Sequence, residues 1–188
     1  MKSAMKISMN KVVIFLLLLI SSLGQVQAAA GRDPQTYFFN ETWGNFAEEL
    51  VKARAEGKKG ILLFFELDEC PFCHRMLTTV LNQPEVQEYF RKNFLNFDVD
   101  IEGDVEIKDF HGQPMLQKDF SFKVNRVRAT PVFAFYDLTG KQVVRYTGAT
   151  SSIEEFMWLG EFAAKGIYKE MRFTKYKREK LKAARQAK

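Results

Sequence analysis

Apolar and polar positions fall along this chain in blocks whose period changes from one stretch to the next. Ile61-Leu62-Leu63-Phe64-Phe65 is an unbroken apolar run that, continued to Leu67, reads as a central strand buried on both faces. Phe94 to Asp100 alternates apolar with polar residues and predicts a second strand. Val132 to Tyr136 is strongly β-prone, Asp137 to Lys141 is a turn, and Val143 to Tyr146 returns as the other arm of a hairpin. Helical spacing takes over elsewhere. Phe46, Ala47, Leu50, Val51 and Ala53 predict a helix over 41–58, closed by Gly57 and Gly60. Met76, Leu77 and Val80 line one face of a helix from Cys73 to about Leu81, and Pro84 restarts the pattern with Val86, Tyr89 and Phe90. Pro114 is expected to open a helix that uses Leu116, Phe120 and Val124, while a short hairpin and an ordered loop both fit the acidic stretch 102–112. Ser151 and Ser152 each stand three residues before a glutamate, a capping signature for a last helix carrying Phe156, Trp158, Leu159 and Phe162. The order β-α-β-α-β-β-α, with one helix in front, defines an α/β protein with helices on both faces of its sheet.

Charge and hydropathy divide the 188 residues into three parts. Lys2, Lys6 and Lys11 precede the apolar run Val12 to Ile20, and Val26-Gln27-Ala28 forms a small-residue cleavage site. The run falls short of the roughly 20 residues needed to span a bilayer. Residues 1–28 are therefore expected to be a cleaved export signal, with the protein delivered to an oxidising compartment, the bacterial periplasm, where a disulfide persists. Residues 42–164 are expected to form one domain, and 165–188 a basic tail. That tail holds ten Lys or Arg against Glu170 and Glu179, so a net charge of +5 conceals an acidic domain. No broad basic surface interleaved with aromatics remains on the domain, which excludes nucleic-acid binding. The tail is expected to extend the last helix through Ile167, Tyr168, Met171, Phe173 and Tyr176 and then fray in solvent. Its alternative role is an electrostatic handle for anionic lipid or an acidic partner.

The chemistry concentrates in Cys70-Pro71-Phe72-Cys73, which contains both cysteines of the chain. Two thiols spaced C-x-x-C at a strand-to-helix junction close a small reversible disulfide ring. Unpaired N–H groups at the helix start favour a thiolate on the first sulfur. With no third cysteine, the pair belongs neither to a larger disulfide framework nor to a four-cysteine zinc site. Thr130-Pro131 is the second notable feature, because X–Pro is the peptide bond that adopts cis at low cost. A cis turn there would set backbone hydrogen-bonding groups beside the sulfurs.

C-P-F-C after the buried strand and Thr-Pro before the hairpin together resemble the thioredoxin fold, over roughly Thr42 to Ala164. The stretches F-F-E-L-D-E-C-P-F-C-H and V-R-A-T-P-V-F-A-F-Y-D, with the acidic insert, are similar to exported thioredoxin-related proteins of the SoxW type. The resemblance implies a central mixed sheet flanked by helices, an insert between the C-x-x-C helix and the cis-proline strand, and a C-terminal helical extension. It also implies thiol–disulfide exchange with protein substrates, with Cys70 attacking, Cys73 resolving, Pro131 facing them in cis and Thr130 pairing with a bound substrate strand. A protein disulfide and a membrane or periplasmic electron donor are the implied partners, without cofactor or metal. Phe64 stands where cytoplasmic thioredoxins place a buried aspartate, so no proton-transfer base is assigned from the motif. Glu69 replaces the familiar tryptophan. Glu66, Asp68 and Glu69 either oppose the helix dipole and make Cys70 a less acidic thiol, which favours reductase or isomerase work, or form a solvated loop with no tuning role.

Three other readings stay open. Cys70-x-x-Cys73-His74 is formally a c-type haem attachment signature, with His74 as axial ligand and Met76 or Met115 as a second. Alternatively, His74 modulates the thiols from the first helical turn. Cys70, Cys73 and His74 or His111 are also a thiolate–imidazole set for zinc or copper(I), in a redox-inactive binding module. Finally, the pair can be a purely structural disulfide, although so small a ring constrains little chain.

Overall fold

The computed structural model describes residues 30–186, so the export signal expected over residues 1–28 lies outside the described part. Four strands form the central sheet: β1 (Gly60–Glu66), β2 (Phe94–Asp100), β5 (Val132–Tyr136) and β6 (Gln142–Thr147), in the order β2-β1-β5-β6. β1 and β2 are parallel, with Ile61 opposite Leu95, whereas β5 runs antiparallel to β1 and β6 antiparallel to β5. A parallel pair needs a long crossover. Here it consists of α3 (Pro71–Thr79) and α4 (Pro84–Asn93), each opened by a proline at its first position, where no N–H is required.

The pleat sorts the apolar runs onto two cores. Leu62 and Phe64 of β1, with Phe133 and Phe135 of β5, face α3, α4 and α6 (Ile153–Ala164). Ile61, Leu63 and Phe65, with Val132, Ala134 and Tyr136, face the opposite way onto α2 (Phe46–Ala55) and Phe120. Both faces of β1 are covered, which is why its sequence is a continuous apolar run rather than an alternation. Phenylalanine fills much of both cores. Phe38, Phe64, Phe90, Phe133 and Phe156 are fully buried on the first side, and Phe65, Phe97 and Phe120 on the second.

Several expectations shift. The first long helix does not begin at Glu41: Gly44 is left-handed (φ 76°), and Asn45 caps the helix by accepting from Glu48 N–H. A short helix, α1 (Pro34–Tyr37), precedes it, and residues 38–40 then lie along β2, with Asn40 N–H donating to Asn96 O at 2.7 Å. Pro114 opens no helix. Pro114–Leu116 is β4, paired antiparallel with β3 (Glu106–Lys108), so the acidic insert is a hairpin. Helical structure starts only at α5 (Gln117–Asp119) and widens into a π turn over Phe120–Val124. Ser152, rather than Ser151, caps α6 by accepting from Glu155 N–H. The tail does not prolong α6. Gly166 is left-handed (φ 69°), a turn follows over Ile167–Lys169, and α7 (Phe173–Gln186) folds back onto α6 instead of fraying from it. Among the described residues no helix is long and apolar enough to cross a membrane.

Candidate functional site

Strand register sets the site at one end of the sheet. Phe65 pairs with Val132 and Glu66 with Asp100, so β1 leaves the sheet toward Cys70 at the end where β5 begins after Pro131. The Thr130–Pro131 bond is cis. Pro131 is buried, and its carbonyl accepts from Gly148 N–H at 2.8 Å. The loop between β1 and α3 is a tight turn in which Cys70 N–H donates to Leu67 O at 3.0 Å.

Cys70 is the N-cap of α3 and is joined to Cys73 by a disulfide. Cys73 N–H, one of the unpaired donors of the first turn, points at Cys70 Sγ from 3.0 Å. That hydrogen bond and the helix dipole both favour negative charge on this sulfur once the disulfide opens. Cys70 is less exposed than the motif suggested. It is 7 % accessible and Cys73 only 1 %, because both sulfurs are packed into the core with Met76, Phe64 and Phe133. The exposed member of the motif is Phe72, 59 % accessible, with the Arg75 guanidinium 5.7 Å from its ring centre. Arg75 also donates to Thr150 O at 3.2 Å, and the buried Thr150 hydroxyl lies 3.7 Å from Met76 Sδ. These contacts tie the dithiol helix to the loop before α6. They were not legible in the sequence, where nothing links Arg75 to a threonine 75 residues later.

Glu66 stands two residues beyond Phe64, the place where the motif left no base. Side chains two apart on a strand share a face, so Glu66 projects from β1 on the same side as Phe64, toward α3. It lines a cavity of about 190 Å3 together with Cys73, His74, Leu77, Asp98 and Gln35. Burial, reinforced by the carboxylates of Asp98, Asp100 and Asp68, pushes the Glu66 carboxyl up to about 7. Gln35, from the segment ahead of the recognisable domain, closes the cavity by donating to Asp98 Oδ2 at 3.4 Å. Asp68 and Glu69 are exposed in the loop, and so is the His74 backbone position one turn into α3.

His74 stays beside the dithiol, lining the same cavity as Cys73 and Glu66. His111 lies on the β3–β4 turn and lines a different cavity, with Phe110, Tyr136 and Arg145, so it does not join the cysteines. Among the described residues no group of three or more His, Cys, Asp or Glu side chains is arranged to hold a metal ion.

A four-stranded mixed sheet, a disulfide across the first turn of the helix after its central strand and a cis-proline at the same sheet end define a disulfide-oxidoreductase-type fold. Residues 46–164 match the thioredoxin-like domain, and the chain belongs to that family. Solved structures agree. A thioredoxin-fold protein from Helicobacter pylori is 25 % identical, with 68 % of this chain and 82 % of that one covered and a TM-score of 0.53. A candidate disulphide-isomerase from Bacteroides thetaiotaomicron is also 25 % identical, with coverage of 77 % and 100 % and a TM-score of 0.54. A thioredoxin from Thermus thermophilus, 24 % identical over 69 % of this chain and 90 % of its own, shares the fold with a TM-score of 0.51. No match is found among curated proteins.

Proposed function

We propose that this protein is an exported thiol–disulfide oxidoreductase of the SoxW type, released in the periplasm by cleavage near Ala28, and that it reduces disulfides in protein substrates. The observation that carries the reading is the Cys70–Cys73 disulfide at the start of α3, at the sheet end shared with cis-Pro131. In the reduced protein the Cys70 thiolate attacks one sulfur of a substrate disulfide. A mixed disulfide forms and the other substrate sulfur leaves as a thiolate. Cys73 then loses its proton and attacks Cys70 Sγ. The substrate leaves as a dithiol and the Cys70–Cys73 disulfide forms. A dithiol electron donor, membrane-bound or periplasmic, must return two electrons for the next cycle.

Residue roles follow from position. Thr130, half-buried ahead of the cis bond, offers its backbone to a substrate strand, and exposed Phe72 offers an apolar contact beside the sulfurs. Glu66, sharing the cavity with Cys73, takes the Cys73 proton in the resolving step. A carboxylate with a value near neutrality is matched to that task. The acids around the dithiol disfavour a Cys70 thiolate and so withhold from the reduced form the stabilisation that makes a dithiol protein a strong oxidant, which tilts the site toward reduction.

Insulin reduction driven by dithiothreitol tests the reading. The wild type should accelerate insulin precipitation, and Cys70→Ser should abolish the acceleration. Turnover that is independent of the cysteines, or no turnover at all, would leave a redox-inactive binding module. The dithiol potential should lie nearer the roughly −270 mV of thioredoxin than the −120 mV of a strong oxidant.

A further inference from the structure

The helix α7 has two faces with opposite fates. Its inner face is docked. Tyr176 is buried against Phe162, with ring centres 5.6 Å apart, and its hydroxyl donates to Glu161 Oε2 at 2.7 Å. Lys177 pairs with Glu155 and Lys180 with Glu161, each at 2.5 Å. Two carboxylates of α6 thus neutralise the cations that face the domain. The outer face carries Lys175, Arg178, Lys182 and Arg185, at steps of three, four and three residues, and Arg172 stands immediately before the first turn on the same side. All five are exposed, and among the described residues none forms an ion pair or donates a side-chain hydrogen bond. From Leu181 to Gln186 every residue is exposed, so the last turns project beyond the body of the protein.

We propose that α7 is an electrostatic foot that rests the protein on an anionic lipid surface. The stripe is about 20 Å long at 1.5 Å per residue, and it slants across the outer face, where exposed Glu179 is the one acid among five cations. Thr174, Leu181, Ala183 and Gln186 flank it, with no aromatic side chain among them. Long flexible cations on a projecting helix suit a flat array of phosphates, and the near absence of apolar residues on that face keeps the helix on the headgroups rather than in the acyl layer. The inner pairing explains how a helix this basic stays folded against its own domain while leaving its outer charge available. The inference is independent of the redox reading, since none of these residues touches the dithiol.

The test is co-sedimentation of the protein, purified after export from the full chain, with phosphatidylcholine vesicles with and without phosphatidylglycerol. Each surface cation contributes about fivefold to such binding, so replacing Lys175, Lys182 and Arg185 by Gln should weaken it about a hundredfold. Binding should require phosphatidylglycerol and fall steeply as salt shortens the screening length. Circular dichroism and insulin reduction should be unchanged in this variant, because its three side chains hold nothing in the fold. Lys177→Gln, on the inner face, should leave vesicle binding within a few fold. Equal binding to both vesicle types, or insensitivity to the triple substitution, would overturn the proposal. Stripe-dependent binding to poly-glutamate with none to the vesicles would overturn it too, and would assign the foot to an acidic polypeptide.

Discussion

Phe90 of α4 and Phe156 of α6 stack face to face, with ring centres 4.5 Å apart and planes 10° from parallel. One turn further along α6, Gly160 makes room for the same ring: a Cβ there would stand 2.6 Å from Phe90 Cζ. Gly160→Ala should therefore destabilise by about 1–3 kcal/mol through overpacking, although alanine is the better helix former by about 1 kcal/mol. Phe156→Ala should cost about 3–5 kcal/mol from the opposite error, an unfilled cavity. Urea melts of both variants check the pair, and a stabilised Gly160→Ala would show that the ring moves aside freely.

Glu66 makes the site sensitive to pH near neutrality. Its folded value, about 7, lies above the ordinary 4.5, so the folded protein binds its proton more tightly than the unfolded chain does. Its contribution to stability is therefore full below about pH 4.5 and is lost as pH rises through 7. Allowing for its half-exposure, Glu66→Gln should gain on the order of 1 kcal/mol at pH 8 and nothing at pH 4. The same substitution should slow release of substrate from the mixed disulfide by about tenfold or more. A stopped-flow profile in which the resolving step keeps its wild-type pH dependence would remove Glu66 from the mechanism.

Glu155 titrates in the other direction. Burial raises it, but hydrogen bonds from Lys177, Ser151 and Tyr146 outweigh burial and hold it down at about 2. Its folded value lies below the unfolded one, so its contribution is full above about pH 4.5 and is lost as pH falls toward 2. Glu155→Ala, at a residue only 2 % accessible, removes that network and frees both the N-terminus of α6 and the middle of α7. The expected loss is about 2 kcal/mol at pH 7, which lowers Tm by roughly 4–8 °C in a domain of this size. Calorimetry at pH 7 and pH 3 should show the difference between variant and wild type shrinking in acid.

Under the proposed function, Phe72 serves substrate contact and takes no part in the chemistry. Being exposed, it contributes little to the core, so Phe72→Ala should leave Tm within about 1 °C and the dithiol potential unchanged. Its loss should raise KM for insulin several-fold while leaving the reaction with a small disulfide unaltered. Equal effects on both substrates would assign Phe72 to the geometry of the sulfurs instead.

The parts of the fold that carried a strong sequence signal are those whose packing is one-sided or total. Ile61 to Phe65 was legible as the central strand because both its faces are covered. Pro84 marked a helix start correctly because the ring stands at the first position, where no donor is needed. Pro114 misled for the same reason: three-residue strands such as Pro114–Leu116 are too short to show a period, so the proline invited a helical reading. The return of α7 was hidden because Gly166 looks like any loop glycine until its left-handed turn is seen. At the site, the cysteines and Thr130-Pro131 stood out as motifs. Glu66 did not stand out as a base, since its meaning depends on a cavity assembled with Gln35 and Asp98 from distant segments.

Burial of both sulfurs has a consequence for traffic through the site. Cys73 is sealed and Cys70 nearly so, which leaves only a narrow line of approach, through Cys70. Under the proposed function, electrons pass when a partner's backbone settles beside Pro131 and brings its own sulfur into line, so recognition precedes chemistry. On that reading, a dithiol shielded in this way reserves its exchange for the proteins that fit.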